Sequence, residues 1–176
     1  MGRVAGATHS GIWNDEGFPG RRKLLETTPP DGWQYLGAHR IRVEPPDLIR
    51  IEFLGDISAR EMSTLGDIFL ECVEEMSWVM VSADLRRLGD MASETRRAAA
   101  QSPSMWHIHG SVVWGANLHQ RLITWMTWHA MTLIRRGKHI PLLQAVVTEA
   151  EAEAWVARQR QERAARLAGN KDAPSV

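Results

Sequence analysis

Between residues 38 and 167 the spacing of apolar side chains switches repeatedly between two periods, and that alternation leaves the chain few architectures. Ile41 and Val43 alternate with Arg40 and Arg42, and Ile49, Ile51 and Phe53 alternate with Arg50 and Glu52. This is the period of strands with one wet face. Residues 38–43 and 48–53 therefore read as a hairpin across the turn Glu44-Pro45-Pro46-Asp47. From Ser58 to Met76 the residues Met62, Leu65, Phe69, Cys72, Val73 and Met76 recur at helical spacing. Residues 78–83 are apolar on both faces, as in a buried central strand, and Asp84 closes it. A short helix over 92–101 stops at Pro103. There follow a strand over 108–114, a third helix over 118–136 ended by Gly137, a strand over 142–147 and a helix over 149–167. Ser58 with Glu61, Asn117 with Gln120 and Thr148 with Glu151 form capping boxes, in which each side chain serves a free backbone amide of the helix start. The order ββαβαβαβα predicts an α/β fold: a mixed five-stranded sheet, antiparallel in its opening hairpin and parallel afterwards, with about four helices.

Residues 1–34 mix Gly, Pro, Asn and charge without a period and read as a disordered tail. Residues 35–168 form the domain, and 169–176 a frayed end. In 176 residues, 21 basic side chains balance 21 acidic ones, so no overall field draws the chain to nucleic acid. A single cysteine, Cys72, excludes an internal disulfide and fits a reducing compartment. With neither an apolar leader nor a membrane-length apolar run, the expected location is the cytoplasm.

Three segments resemble the SpoIIAA-like proteins of the STAS superfamily. Thr148-Glu149-Ala150-Glu151-Ala152-Glu153-Ala154-Trp155-Val156 is similar to that family's closing "T-E-x-E-A-x-x-W-L", with Val156 for the leucine. Gly55-Asp56-Ile57-Ser58 is similar to its "G-x-I-T" before the first helix, and Val81-Ser82-Ala83-Asp84-Leu85 to its central strand ending in Asp-Leu. The likeness spans about residues 36–158. The Trp-rich third helix, the long N-terminal stretch and a valine (Val146 or Val147) in place of the usual Phe depart from the pattern. The resemblance implies a STAS-like mixed sheet with helices packed on it, a non-enzymatic role and, in some relatives, an apolar ligand pocket. STAS regulators are switched by phosphorylation near the second helix, where Ser93 stands beside Arg96 and Arg97. The family's "D-S-S-G" is replaced by Asp84-Leu85-Arg86-Arg87, and helix capping or simple exposure is the competing role for Ser93.

The third helix is apolar around most of its circumference, with Leu122, Ile123, Trp125, Met126, Trp128, Ala130, Met131, Leu133 and Ile134. Burial within its own domain accounts for such a stripe most simply. A second reading has it wall a pocket for a lipid-like molecule, with Trp125, Trp128 and Met131 as the wall and Leu118 and Leu122 near the mouth. A homodimer face, or a contact with a membrane surface aided by Arg135, Arg136 and Lys138, are further readings. No metal site is expected: His107 and His109 stand alternately, and His119 and His129 lie roughly 15 Å apart along one helix. Cys72 falls on an apolar stripe, and no nucleophile elbow, phosphate loop or dinucleotide fingerprint occurs. Asp56 and Asp84, at strand ends, mark where a site would lie. The sequence therefore points to a non-enzymatic module without cofactor that binds a small apolar or lipid-like ligand. The alternative is a regulatory protein-interaction component, acting as a dimer or as a partner-switching antagonist.

Overall fold

The computed structural model describes residues 32–102, 104, 107–134 and 141–169; for residues 127, 130, 131, 133 and 134 it describes the backbone alone. The strands are β1 (Gln34–Leu36), β2 (His39–Glu44), β3 (Leu48–Gly55), β4 (Met80–Leu88), β5 (Gly110–Trp114) and β6 (Leu142–Ala145). The helices are α1 (Ala59–Met76), α2 (Ser93–Gln101), α3 (Leu118–Ile134) and α4 (Glu149–Gly169). The strands lie side by side in chain order, β1-β2-β3-β4-β5-β6. The first three are antiparallel, and β3 to β6 run parallel. This is the STAS-like mixed architecture that the resemblance implies.

Among the described residues the sheet has six strands, where the sequence predicts five. β1 is three residues long, too short for its alternation to register, and it starts at Gln34, inside the stretch read as tail. The rest of that tail, with Trp13 and Phe18, lies outside the described residues. β4 also runs on to Leu88, through what reads as a loop. Asp84 does not end the strand because its carboxylate accepts from the Arg86 amide at 2.9 Å and from the guanidinium at 2.8 Å. The two charges neutralise each other along the strand, and pairing resumes at Leu54 with Arg87 after an irregularity in β3.

All three capping boxes form. Ser58 Oγ accepts from the Glu61 amide at 3.2 Å while Glu61 accepts from the Ser58 amide at 2.9 Å. Asn117 with Gln120 and Thr148 with Glu151 repeat the exchange at 2.8–3.2 Å. Glu151 also accepts from the Val147 amide. These donors, the Thr148 amide first, hold its carboxyl below the usual carboxylate range.

Parallel strands in sequential order, joined by crossovers of one hand, place the crossover helices on one face. There Ile49, Ile51, Phe53, Val81, Ala83 and Val113 meet Leu65, Ile68, Phe69 and Cys72 of α1. Helix α4 follows the last strand and lies on the opposite face, where Ala152, Trp155 and Val156 cover Leu48, Met80 and Val112. Gly110 permits that approach. A Cβ at this position would stand 2.9 Å from Leu142 and 3.2 Å from the Trp155 ring. Salt bridges fasten the helix further, since Arg160 Nε donates to Asp47 at 3.0 Å and Arg50 Nη2 to Glu153 at 3.0 Å. Among the described residues, no helix is long and apolar enough to cross a membrane.

Candidate functional site

A cavity of about 230 Å³ separates α3 from the sheet. Its floor is Ile51, Val81, Ala83, Val113 and Leu143, presented by four adjacent parallel strands. Met62, Leu65 and Phe69 of α1 form one side, and Ile123 and Trp128 of α3 the roof. Polar groups gather at one end, where Asp90 and Met91 follow β4 and His119 and Gln120 open α3. Gln120 is held there by donating to the Leu88 carbonyl at 2.9 Å. An apolar hole of 150 Å³ accommodates benzene, so this one takes a molecule only modestly larger, or the end of a chain. It is too small for a whole lipid.

The sequence-derived wall residues divide between the two sides of α3. Trp128 roofs the cavity. Leu118, Leu122 and Trp125 point outward, being 83%, 52% and 58% exposed, and Met126 beside them is 57% exposed. The Met131 side chain lies outside the described residues. On a helical wheel the outward residues 118, 122, 125 and 126 fall within an arc of about 100°, opposite the arc that holds Ile123 and Trp128. Helix α3 thus has two apolar faces. Periodicity finds both but does not say which meets the sheet. Met62, Phe69 and Leu143 also line the cavity because of where α1 and β6 lie, and no local sequence signal marks them for it.

A second depression lies on the α4 face, between Trp33 and Arg42 on one side and Trp114 and the first turn of α4 on the other. Several charges at and around it are paired with one another. Arg50 donates to Glu44 and Glu153, Arg40 to Glu52, and Arg86 to Asp84. Glu153 is held below the usual carboxylate range, chiefly by its hydrogen bond from Arg50. The two acids flagged in the sequence have separate structural partners. Asp84 binds Arg86, and Asp56 accepts from the Asp90 amide at 2.6 Å.

The histidines are dispersed. His109 packs on Trp78 with ring centroids 4.6 Å apart and contacts Gln159 at 3.1 Å, while His107 lies exposed in the preceding turn. His119 stands at the cavity mouth, and His129 lies against Trp125 with ring centroids 4.1 Å apart. Among the described residues, no three His, Cys, Asp or Glu side chains converge as metal ligands would. His39 is nearly fully buried. Its Nδ1 accepts from the Leu54 amide at 3.0 Å and its Nε2 lies 4.0 Å from Glu61. Burial pushes its pKa below 6.5, outweighing the attraction of Glu61. Ser93 is the first residue of α2 and is exposed, with Arg97 exposed nearby. Arg135, Arg136 and Lys138, the cations of the membrane-surface reading, lie outside the described residues.

No family model matches the chain, and no curated protein matches it. Among solved structures it is similar to the anti-sigma factor antagonist SpoIIAA in its unphosphorylated form. The two share 12% identity with a TM-score of 0.43, over 68% of this chain and 98% of that one. That likeness is one of fold and carries no weight for function.

Proposed function

We propose that the protein is a non-enzymatic regulatory module that docks another protein on the outward face of α3. The observation that carries this reading is the stripe Leu118, Leu122, Trp125 and Met126, exposed at successive helical turns. Contiguous exposed apolar patches on otherwise soluble surfaces are characteristic of interaction sites. Aromatic side chains and Met are enriched in such sites. The fold can leave the face open because α3 is held from beneath by its cavity-facing residues, with α2 as its closest neighbouring element. The test places a photo-activated cross-linker at position 125 of the full chain in extract of the source organism. A single adduct that disappears when Leu122→Asp is added is the expected result. Adducts unchanged by Leu122→Asp, or none at all, would remove the proposed docking role of this face.

The cavity beneath the same helix favours a second reading, the binding of a small apolar molecule between α3 and the sheet. Native mass spectrometry of the purified chain, followed by organic extraction, tests it. A bound mass of roughly ten heavy atoms, lost on Ile123→Trp, which fills the roof, is expected. A clean apo mass together with no uptake of benzene-sized probes would exclude this reading.

A further inference from the structure

We propose that the occupant of the α3 face is a second copy of this chain, giving a homodimer in which two α3 helices pack antiparallel across a two-fold axis. This inference rests on the reading of α3 as the docking element and names its partner.

Charge is the first argument. From Leu118 to Ile134 the helix has no Asp, Glu or Lys and a single arginine, Arg121. On the helical wheel Arg121 falls outside the arc that holds residues 118, 122, 125 and 126. A different protein is normally selected by complementary charges at the contact. This stripe offers no fixed charge, its one titratable side chain being the exposed His129 beside Trp125, and two copies of it meet without repulsion between fixed charges.

Size is the second argument. At the exposures given above, the four side chains present roughly 500 Å² of surface, most of the ~600 Å² that each partner contributes to a small stable interface. Flanking residues of α3 need add little. Composition agrees, because homodimer interfaces are the most apolar kind and are depleted of charge at their centre.

Symmetry is the third argument. An isologous contact must be self-complementary. Residues 118, 122, 125 and 126 form one ridge about 12 Å long. Reversing that ridge on itself sets the Leu118 end of one helix against the Met126 end of the other, with Leu122 near the axis. Small apolar groups at one end then face large ones at the other, as close packing of two helices requires.

Sedimentation velocity on the full chain over a ~100-fold range of concentration tests the proposal. We expect a concentration-dependent dimer, weakened at least about thirtyfold by Leu122→Asp and by Trp125→Glu, as loss of a central anchor implies. Far-ultraviolet circular dichroism should stay unchanged in both variants, since both positions are exposed in the single chain. Cys72 is buried and is the sole native thiol, so an engineered cysteine reports cleanly. Leu122→Cys, near the axis, should form a disulfide-linked dimer on mild oxidation, and Leu118→Cys, at the end of the ridge, should not. Cross-linking at 118 as readily as at 122 would overturn the antiparallel arrangement. A monomer at every concentration would overturn the homodimer alone and leave the docking face to another protein. A dimer indifferent to both Leu122→Asp and Trp125→Glu would overturn the homodimer interface alone and leave the docking role of the face to the cross-linking test at position 125.

Discussion

Helices α3 and α4 lie on opposite faces of one sheet and use their tryptophans in opposite ways. Helix α4 is the more polar of the two, yet it is the better anchored. Trp155 sits on the backbone of Gly110, Ala152 and Val156 are buried, and Arg50 and Arg160 tie its polar side to the strands. Helix α3 is the more apolar, yet it covers an unfilled volume and turns Trp125 to solvent. Hydrophobicity alone therefore does not measure how firmly a helix is held. A narrow apolar arc that matches its bed, with charges that find partners, fixes a helix better than apolar residues all round.

The contrast can be broken by removing equivalent side chains. Trp155→Ala should cost about 3–5 kcal/mol of stability, the usual cost for a large buried aromatic, read from the midpoint of urea unfolding. A loss below about 1 kcal/mol would mean that α4 is not anchored as described. Gly110→Ala should cost about 1–3 kcal/mol, because its methyl enters the space of Leu142 and Trp155. In this variant the emission of Trp155 should also shift to the red. Trp125→Ala should change the stability of the single chain by no more than about 0.5 kcal/mol, measured in dilute solution. A large loss there would put the outward face of α3 in the core.

Acid sharpens the same comparison by separating the two faces. On the α1 face, His39 is held neutral, so its folded pKa lies below the unfolded value of 6.5. The unfolded chain therefore binds the extra proton first, and stability should fall as pH drops below about 6.5, until the folded His39 also titrates. Protonation must displace the Leu54 amide from Nδ1, and His39→Gln should flatten this part of the profile. On the α4 face, Glu153 has a depressed pKa. Its contribution is complete above the unfolded value of 4.5 and is lost only as pH falls below it, through the lower folded pKa. Unfolding measured across pH 4.5–6.5 should therefore respond to His39 and not to Glu153.

Most of the frame was legible in the sequence because strands and helices carry different periods and three helix starts carry reciprocal caps. What escaped has physical causes. β1 is shorter than one full alternation. Asp84 and Arg86 look like strand breakers singly, and they continue β4 only because they pair. Facing direction was the least legible property. Ile123 and Trp125 are equally apolar, and the choice between them depends on where α1 and α2 leave room. The cavity itself belongs to no segment, since its lining comes from four strands and three helices.

The chain-order arrangement of the strands has a consequence for how the molecule is made. Each parallel strand, as it emerges during synthesis, finds its partner already at the edge of the growing sheet, so no strand must be inserted between two others. Helix α4 comes last. Until residues 149–169 exist, Leu48, Met80 and Val112 form a bare greasy wall on one side of an otherwise finished sheet. The last helix is thus the lid of the nascent protein, and a chain halted before Glu149 would present that wall to chaperones and to other unfinished chains.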